Sequence, residues 1–347
     1  MTATQFARWA AALAIGAAAG WLCSVLRTPI PWMLGPLVAL ATLRVAGVNV
    51  VAPKPSRYIG QWIIGTSLGL YFTPQVVREV LATWYLLATG ALFAIAIGYL
   101  SGLALSRLAG IDRTTAIFAS VPGGAAEMAV LGQRFGARVD RVVAAQSLRI
   151  LIVVVVIPFA YAWLGVHGTE IYVQGAKFFD AEGFAKLMGA TLIGSFVFQR
   201  LDAPNAFVLG SLAVAIPLTA AQIDLSAMPT VVSNAGQYLL GCALGSRFER
   251  DFLRGAHRFV AAVTLTVLIA IALSAAFAVA LAFVAARPAA ALVLGTAPGG
   301  IAEMCITAKV LQLGVPIVTA FHVTRIVVLL LATAPIFARL QAWRRDR

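Results

Sequence analysis

Charge is scarce in this sequence. Asp, Glu, Lys and Arg make up 11% of its 347 residues, against about 25% in an ordinary soluble domain. Cysteine and histidine are scarcer still, at three each. Cys23, Cys242 and Cys305 are odd in number, far apart and each set in an apolar stretch. That excludes a disulfide framework and a CxxC metal motif, and leaves them as small buried hydrophobes. His167, His257 and His322 are scattered and form no metal triad. With no nucleophile–base set and no ligand cluster, the sequence predicts neither an enzyme nor a bound cofactor or metal. A long polar stretch is also missing: the longest, about residues 166–182, is too short for a soluble domain. Apolar side chains fill the chain instead, 61% of residues with a mean hydropathy of +0.93. That is more apolar surface than a soluble core needs, and it predicts an all-α polytopic protein whose solvent is lipid.

The net charge of +13 would point to nucleic acid only if it were gathered on one face. The basic residues fall instead between apolar runs and at the C-terminus (Arg339, Arg344, Arg345, Arg347), as in cytoplasmic loops facing anionic lipid. Direct nucleic-acid binding is therefore not expected. Residues 1–26, with Arg8 ahead of an apolar core, have the outline of a signal peptide. No small-x-small cleavage site precedes further hydrophobic sequence, and the stretch has a counterpart at the start of the second half, so a first membrane segment is the better reading.

The chain is an internal duplication. Residues 122–128 read PGGAAEM and residues 298–304 read PGGIAEM, six identities in seven at an offset of 176. The same offset pairs Gly60-Gln61 with Gly236-Gln237, Leu68-Gly69 with Leu244-Gly245 and Arg149-Ile150 with Arg325-Ile326. An offset of 175 pairs Pro29 with Pro204 and Leu34-Gly35 with Leu209-Gly210. We divide the chain into a first membrane repeat over 1–167, a short external linker over 168–182 and a second repeat over 183–347. The first repeat holds apolar segments at about 9–26, 30–47, 58–73, 80–105, 114–133 and 142–165. The second holds them at about 184–199, 204–222, 233–246, 259–285, 289–311 and 316–338. A crossing takes about 20 apolar residues. The third segment of each repeat is short and glycine-rich, and the fifth is broken by Pro-Gly-Gly. Interrupted segments at matching positions point to a carrier's binding site.

Basic residues choose the topology. If all twelve segments cross with the N-terminus inside, Lys and Arg outside the sixth and twelfth divide 13 to 11, which is no bias. If the fifth segment of each repeat enters and leaves on one side, they divide 18 inside to 6 outside, as the positive-inside rule requires. The prediction is a multi-pass protein of the bacterial inner membrane with both termini cytoplasmic and about five crossings per repeat. An odd number of crossings inverts the second repeat relative to the first, so the two Pro-Gly-Gly segments enter from opposite faces. A broken helix that crosses fully, with another segment failing to span, gives the same parity and stays open.

Pro122-Gly123-Gly124 and Pro298-Gly299-Gly300 are expected to stop one short helix and turn tightly into the next. Proline removes a donor there and glycine accepts left-handed backbone. Helices restarting near Ala125 and Ile301 would offer free N–H groups to an anion. Glu127 and Glu303 are the carboxylates that fall inside apolar segments. Burying such a charge costs roughly 3 kcal/mol, so the default reading is functional, a proton carrier or cation ligand; the alternative is a cap on its own helix. Arg149 and Arg325, two turns into the last segment of each repeat, are the partners expected for those carboxylates or for an anionic solute, unless they form a structural ion pair. Gln61 and Gln237 are placed to line the same cavity, with Ser120, Thr296, Gln146 and His322 as further candidates. The glycines of Gly65-x-x-x-Gly69 and Gly241-x-x-x-Gly245 read as close contacts between helices. The repeats differ in places, with Gln146 opposite His322 and Ala125 opposite Ile301, so identical chemistry in both halves is not assumed.

The paired PGG(A/I)AEM motifs, with an Arg 22 residues after each Glu, resemble the AbrB-type duplicated membrane family of Gram-negative bacteria over essentially the whole chain. Members are labelled membrane regulators of gene expression or ammonia monooxygenases. Neither label suits these residues, since copper-dependent oxidation needs clustered ligands and DNA binding needs a soluble domain. More distantly the family is similar to cation/proton antiporters and related inverted-repeat carriers, which implies transport by analogy. The expectation is a secondary carrier for a small anionic or amphoteric solute coupled to H+ or Na+. Its partners would be that solute or ion and the lipid bilayer, and a homo-oligomer is compatible with the sequence. The rival is a membrane-embedded solute sensor acting on gene expression through a partner docked at the arginines around 247–258.

Overall fold

A computed structural model describes residues 3–168, 174–176, 178–248 and 257–345. Parts of the expected linker (169–173 and 177) and most of the basic stretch that follows Arg247 (249–256) lie outside the described residues. Within them the secondary structure is helical. The first repeat supplies α1 (Ala3–Val25), α2 (Pro31–Ala46), α3 (Pro55–Gly69), α4 (Pro74–Ala82), α5 (Trp84–Ala109), α6 (Arg113–Ser120), α7 (Ala125–Arg134) and α8 (Val139–Trp163). The second supplies α9 (Ala181–Arg200), α10 (Ala206–Ala220), α11 (Thr230–Gly245), α12 (His257–Ala285), α13 (Ala289–Thr296), α14 (Ile301–Leu311) and α15 (Val315–Arg345).

Local chemistry sets these boundaries. Pro31, Pro55 and Pro74 open α2, α3 and α4, where the missing N–H has no partner to lose. Asp112 and Asp180 cap α6 and α9, accepting hydrogen bonds from the N–H of Thr115 at 2.7 Å and of Gly183 at 2.6 Å. Gly47 and Gly110 end α2 and α5 in the left-handed conformation. Five helices, α1 from Thr4 on, α5, α8, α9 and α12, are long and apolar enough to cross a membrane, and α2, α10 and Val315–Leu329 of α15 are shorter apolar helices. Large apolar side chains such as Leu92, Ile193 and Phe283 are exposed along them. Trp84 and Trp163 are exposed at the ends of α5 and α8, where amphipathic rings meet a membrane interface. The protein is multi-pass.

Every expected apolar segment is a helix, and the fifth of each repeat is a pair, α6/α7 and α13/α14. The helix that hydropathy did not announce is α4. It has nine residues, carries Arg78 and Glu79, and buries little beyond Val76.

The repeats interlock rather than sit side by side. Helices α1, α2, α3, α9, α10 and α11 pack as one bundle, and α5–α8 with α12–α15 as another. Within the first bundle α2 packs on α11 as α10 packs on α3; within the second α12 packs on α8 as α15 packs on α5. Each contact thus recurs with the repeats exchanged, which is a two-fold relation. On its axis Gly60 of α3 meets Gly236 of α11, the same position of each repeat, and a β-carbon on Gly60 would stand 2.8 Å from Gly236 O. The paired glycine motifs serve the same close approach. A β-carbon on Gly65 would lie 2.8 Å from Val208 O of α10, and one on Gly241 2.5 Å from Met33 O of α2.

Candidate functional site

Breaking a helix strands carbonyl groups that a buried site must satisfy. In the first repeat Arg149 of α8 does this: its Nη1 donates to Val121 O at 3.1 Å and its Nη2 to Gly123 O at 3.2 Å. Gln146, one turn earlier, donates to Phe118 O and Val121 O, both at 2.9 Å. The second repeat repeats the scheme. Arg325 Nη1 donates to Ala297 O at 2.7 Å and Nη2 to Gly299 O, while His322 Nε2 lies 3.0 Å from Leu294 O. Because that partner is a carbonyl, the proton is assigned to Nε2. Both arginines are almost fully buried. Neither forms an ion pair with Glu127 or Glu303 in the described structure, so the expected Arg–Glu pairing gives way to Arg–carbonyl bonding. The carbonyls of the break itself, on either side of each proline, take the donors.

The glycines also act differently from expectation. Gly124 and Gly300, the N-caps of α7 and α14, have extended backbone with φ of −68° and −82°, and Gly123 and Gly299 are not left-handed either. Their value is the missing side chain. Met128 packs on Gly123 and Met304 on Gly299, and a β-carbon on Gly124 or Gly300 would collide with the carboxylate of Glu127 or Glu303. Each Glu, three residues into its helix, therefore folds back over its own N-cap. The negative group that each helix end receives is the chain's own. Glu127 Oε1 accepts the Asn205 N–H at 3.2 Å, and its Oε2 is buried without a partner. Glu303 is 7% exposed and lies in the attractive field of Arg57, Arg149 and Arg247.

The two breaks meet at a cavity between the bundles. About 50 Å³ is open to the centre of a water molecule, room for roughly three to five waters. The second bundle contributes Pro122–Ala125, Arg149, Gly299–Glu303 and Arg325; the first contributes Arg57, Gln61, Asn205 and Arg247. Beyond it, Lys309 of α14 donates to Ser67 of α3 at 2.9 Å and Ser233 of α11 at 3.0 Å, tying the bundles together. Its counterpart in the first repeat, Gln133, is exposed. A larger cavity of about 490 Å³ lies away from this chemistry, mostly apolar around the Glu79–Arg287 ion pair.

Of the residues singled out from sequence, Pro122, Gly123, Gly124, Arg149, Gly299, Gly300, Glu303, Arg325 and Gln61 line this one cavity, Glu127 borders it through Asn205, and Pro298 lines a smaller void beside it. Gln237 is buried on α11 but is not among the lining residues, and Thr296 bonds to Ser274 O and Leu292 O within the second bundle. Ser120 faces a separate void of about 20 Å³. Sequence reasoning missed three polar lining residues. Arg57 and Arg247 were counted with the loop charges because they stand at helix ends. Asn205 is left-handed at φ 46° and accepts from Gln61 Nε2 at 3.3 Å; an Asn just ahead of a helix was its available signal. Arg247, at the head of the stretch read as a docking surface, faces the cavity.

Residues 32–341 match the family described as transition state regulatory protein AbrB. The chain belongs to the AbrB family. Among its relatives, YhjN of Bacillus subtilis (strain 168) is 28% identical over 94% of this chain and 91% of its own length. The Escherichia coli (strain K12) protein provisionally named regulator AbrB is 22% identical over 90% of each. AbrB-family membership thus covers both repeats and both Pro-Gly-Gly breaks.

Proposed function

We propose that this protein is a secondary carrier moving a small anionic or amphoteric solute with H+ or Na+ by alternating access. The observation that carries the reading is the small, charge-lined cavity enclosed between two bundles where both broken helices end. Carriers built from repeats use such breaks because irregular backbone supplies polar groups at membrane depth, where side chains alone are costly. In this reading the two-fold relation lies in the plane of a bacterial inner membrane, the repeats are inverted and both termini are cytoplasmic. Glu127 and Glu303 take up and release the coupling cation, and the two bundles shift against one another so that the cavity opens to alternate sides. The Lys309–Ser67–Ser233 contact is the closed end of one such state. The protein is not an enzyme, and its partners are the solute, the coupling ion and lipid.

The printed name of the Escherichia coli relative, a regulator, favours a second reading in which the same cavity senses a solute without net flux. Proteoliposomes with an internal pH dye separate the two. Solute-dependent H+ or Na+ flux that vanishes in Glu127→Gln or Glu303→Gln supports the carrier. Folded protein that gives no flux under any condition, yet melts at a higher temperature with solute present, leaves the sensor.

A further inference from the structure

Nearly every positive feature of the cavity has an internal counterpart. The Nη groups of Arg149 and Arg325 are taken by helix carbonyls, and the two helix N-termini by their own glutamates. Arg57, in the first turn of α3, and Arg247, two residues past α11, have no bonded counterpart, only the more distant attraction of Glu303 and, for Arg247, of Glu127. Both line the cavity and lie close enough to repel one another. Neither has a hydrogen-bond or ion-pair partner among the described residues. Both come from the first bundle, opposite the broken helices. Two guanidiniums turned on one small, partly dehydrated space repel one another more than either carboxylate attracts Arg247, and an anion between them would be favoured. Their planar forks suit a group that spreads its charge over two or more oxygens. Glu303, buried on the facing wall, is negative when ionised, so the cavity repels an anion until that carboxyl takes up its cation. This ties anion binding to the coupling ion.

We infer that Arg57 and Arg247 form the recognition site for a small oxyanion, a carboxylate- or phosphate-type group of a few heavy atoms, and that Arg149 and Arg325 hold the broken helices in shape instead of binding it. The inference shares its cavity with the carrier reading but does not depend on flux. The test is calorimetric binding of sodium acetate and of inorganic phosphate to the full chain, purified in a maltoside detergent so that no lipid phosphate competes. Ammonium chloride serves as the cation control, and the proteins are wild type, Arg57→Gln, Arg247→Gln and the two Lys replacements.

The expected result is anion binding that weakens at least tenfold in either Gln variant and partly in the Lys variants. Without anion, the Gln variants keep a cooperative melt, so that weakened binding reads as loss of the site and not of the fold. Equal anion binding in wild type and both Gln variants overturns the inference. So does folded wild type that binds neither anion. Binding without flux would sink the carrier reading alone, while coupled flux unchanged in both Gln variants would sink this assignment alone.

Discussion

At residue 149 and again at residue 325 an arginine spans a broken helix and bonds two carbonyls 26 and 28 positions before it. One turn earlier, Gln146 and His322 brace the same strand of backbone from different side chains. Beyond that frame the repeats diverge. Glu127 receives an amide N–H from Asn205, whereas Glu303 sits deeper in the field of three arginines. Gln133 faces outward, whereas Lys309 reaches across to the other bundle. Where a side chain satisfies backbone, the two copies keep one solution, because a stranded carbonyl asks the same of both. Where it faces the cavity they are free to differ, and under the proposed carrier reading alternate opening of one cavity requires that its two ends not be in the same state.

Substitutions test how far the likeness extends. Arg149→Ala and Arg325→Ala should have the largest effects. Arg325→Ala leaves the buried carbonyls of Ala297 and Gly299 unpaired, whereas Arg149→Ala leaves that of Gly123, because Gln146 still donates to Val121 O. At about 1–3 kcal/mol per carbonyl the unfolding temperature in detergent falls by on the order of 10 °C, further in Arg325→Ala. A large loss in one repeat and none in the other would break the comparison. Lys309→Gln gives the second repeat the first repeat's residue and removes charged hydrogen bonds worth about 1.5–3 kcal/mol. A cysteine placed by Ser67→Cys should then react about tenfold faster with a membrane-impermeant maleimide; unchanged labelling would mean that something else closes that end. Glu303→Gln removes a negative charge from among the arginines and should tighten acetate binding about tenfold, with a smaller change in Glu127→Gln; the reverse order would exchange the roles of the two carboxyls. His322→Gln, copying Gln146, is the mildest. It should cost less than about 1 kcal/mol and leave binding within about twofold, and a larger cost would show that the imidazole does more than brace a carbonyl.

The membrane class, the six helical segments of each repeat and the position of both breaks were legible because hydropathy and Pro-Gly-Gly are local signals, and the 176-residue offset told which positions correspond. Correspondence does not reveal contact, so nothing in the pattern showed that α2 would lie on α11 and α10 on α3. Arg57 and Arg247 were hidden for a related reason: a charge at a helix end reads as a loop charge until the neighbouring bundle is in place. Gly124 and Gly300 pointed to the right place for the wrong cause, since composition cannot distinguish a glycine needed for its backbone from one needed for its empty side. Helix α4 escaped because nine residues are too few to show a period against their own charges.

The exchange of partners between repeats also sets a timetable for biosynthesis. When the first repeat leaves the ribosome, α2 has α1 beside it but lacks α11, and α3 lacks both α10 and α11, the helices that cover its glycine face. Those arrive roughly 150–200 residues later in the chain, roughly 10–40 s at ordinary rates of synthesis. For that interval the half-made protein must wait in the lipid with its seams open, so it is during translation, more than after it, that a second nascent copy could take the place of the missing half.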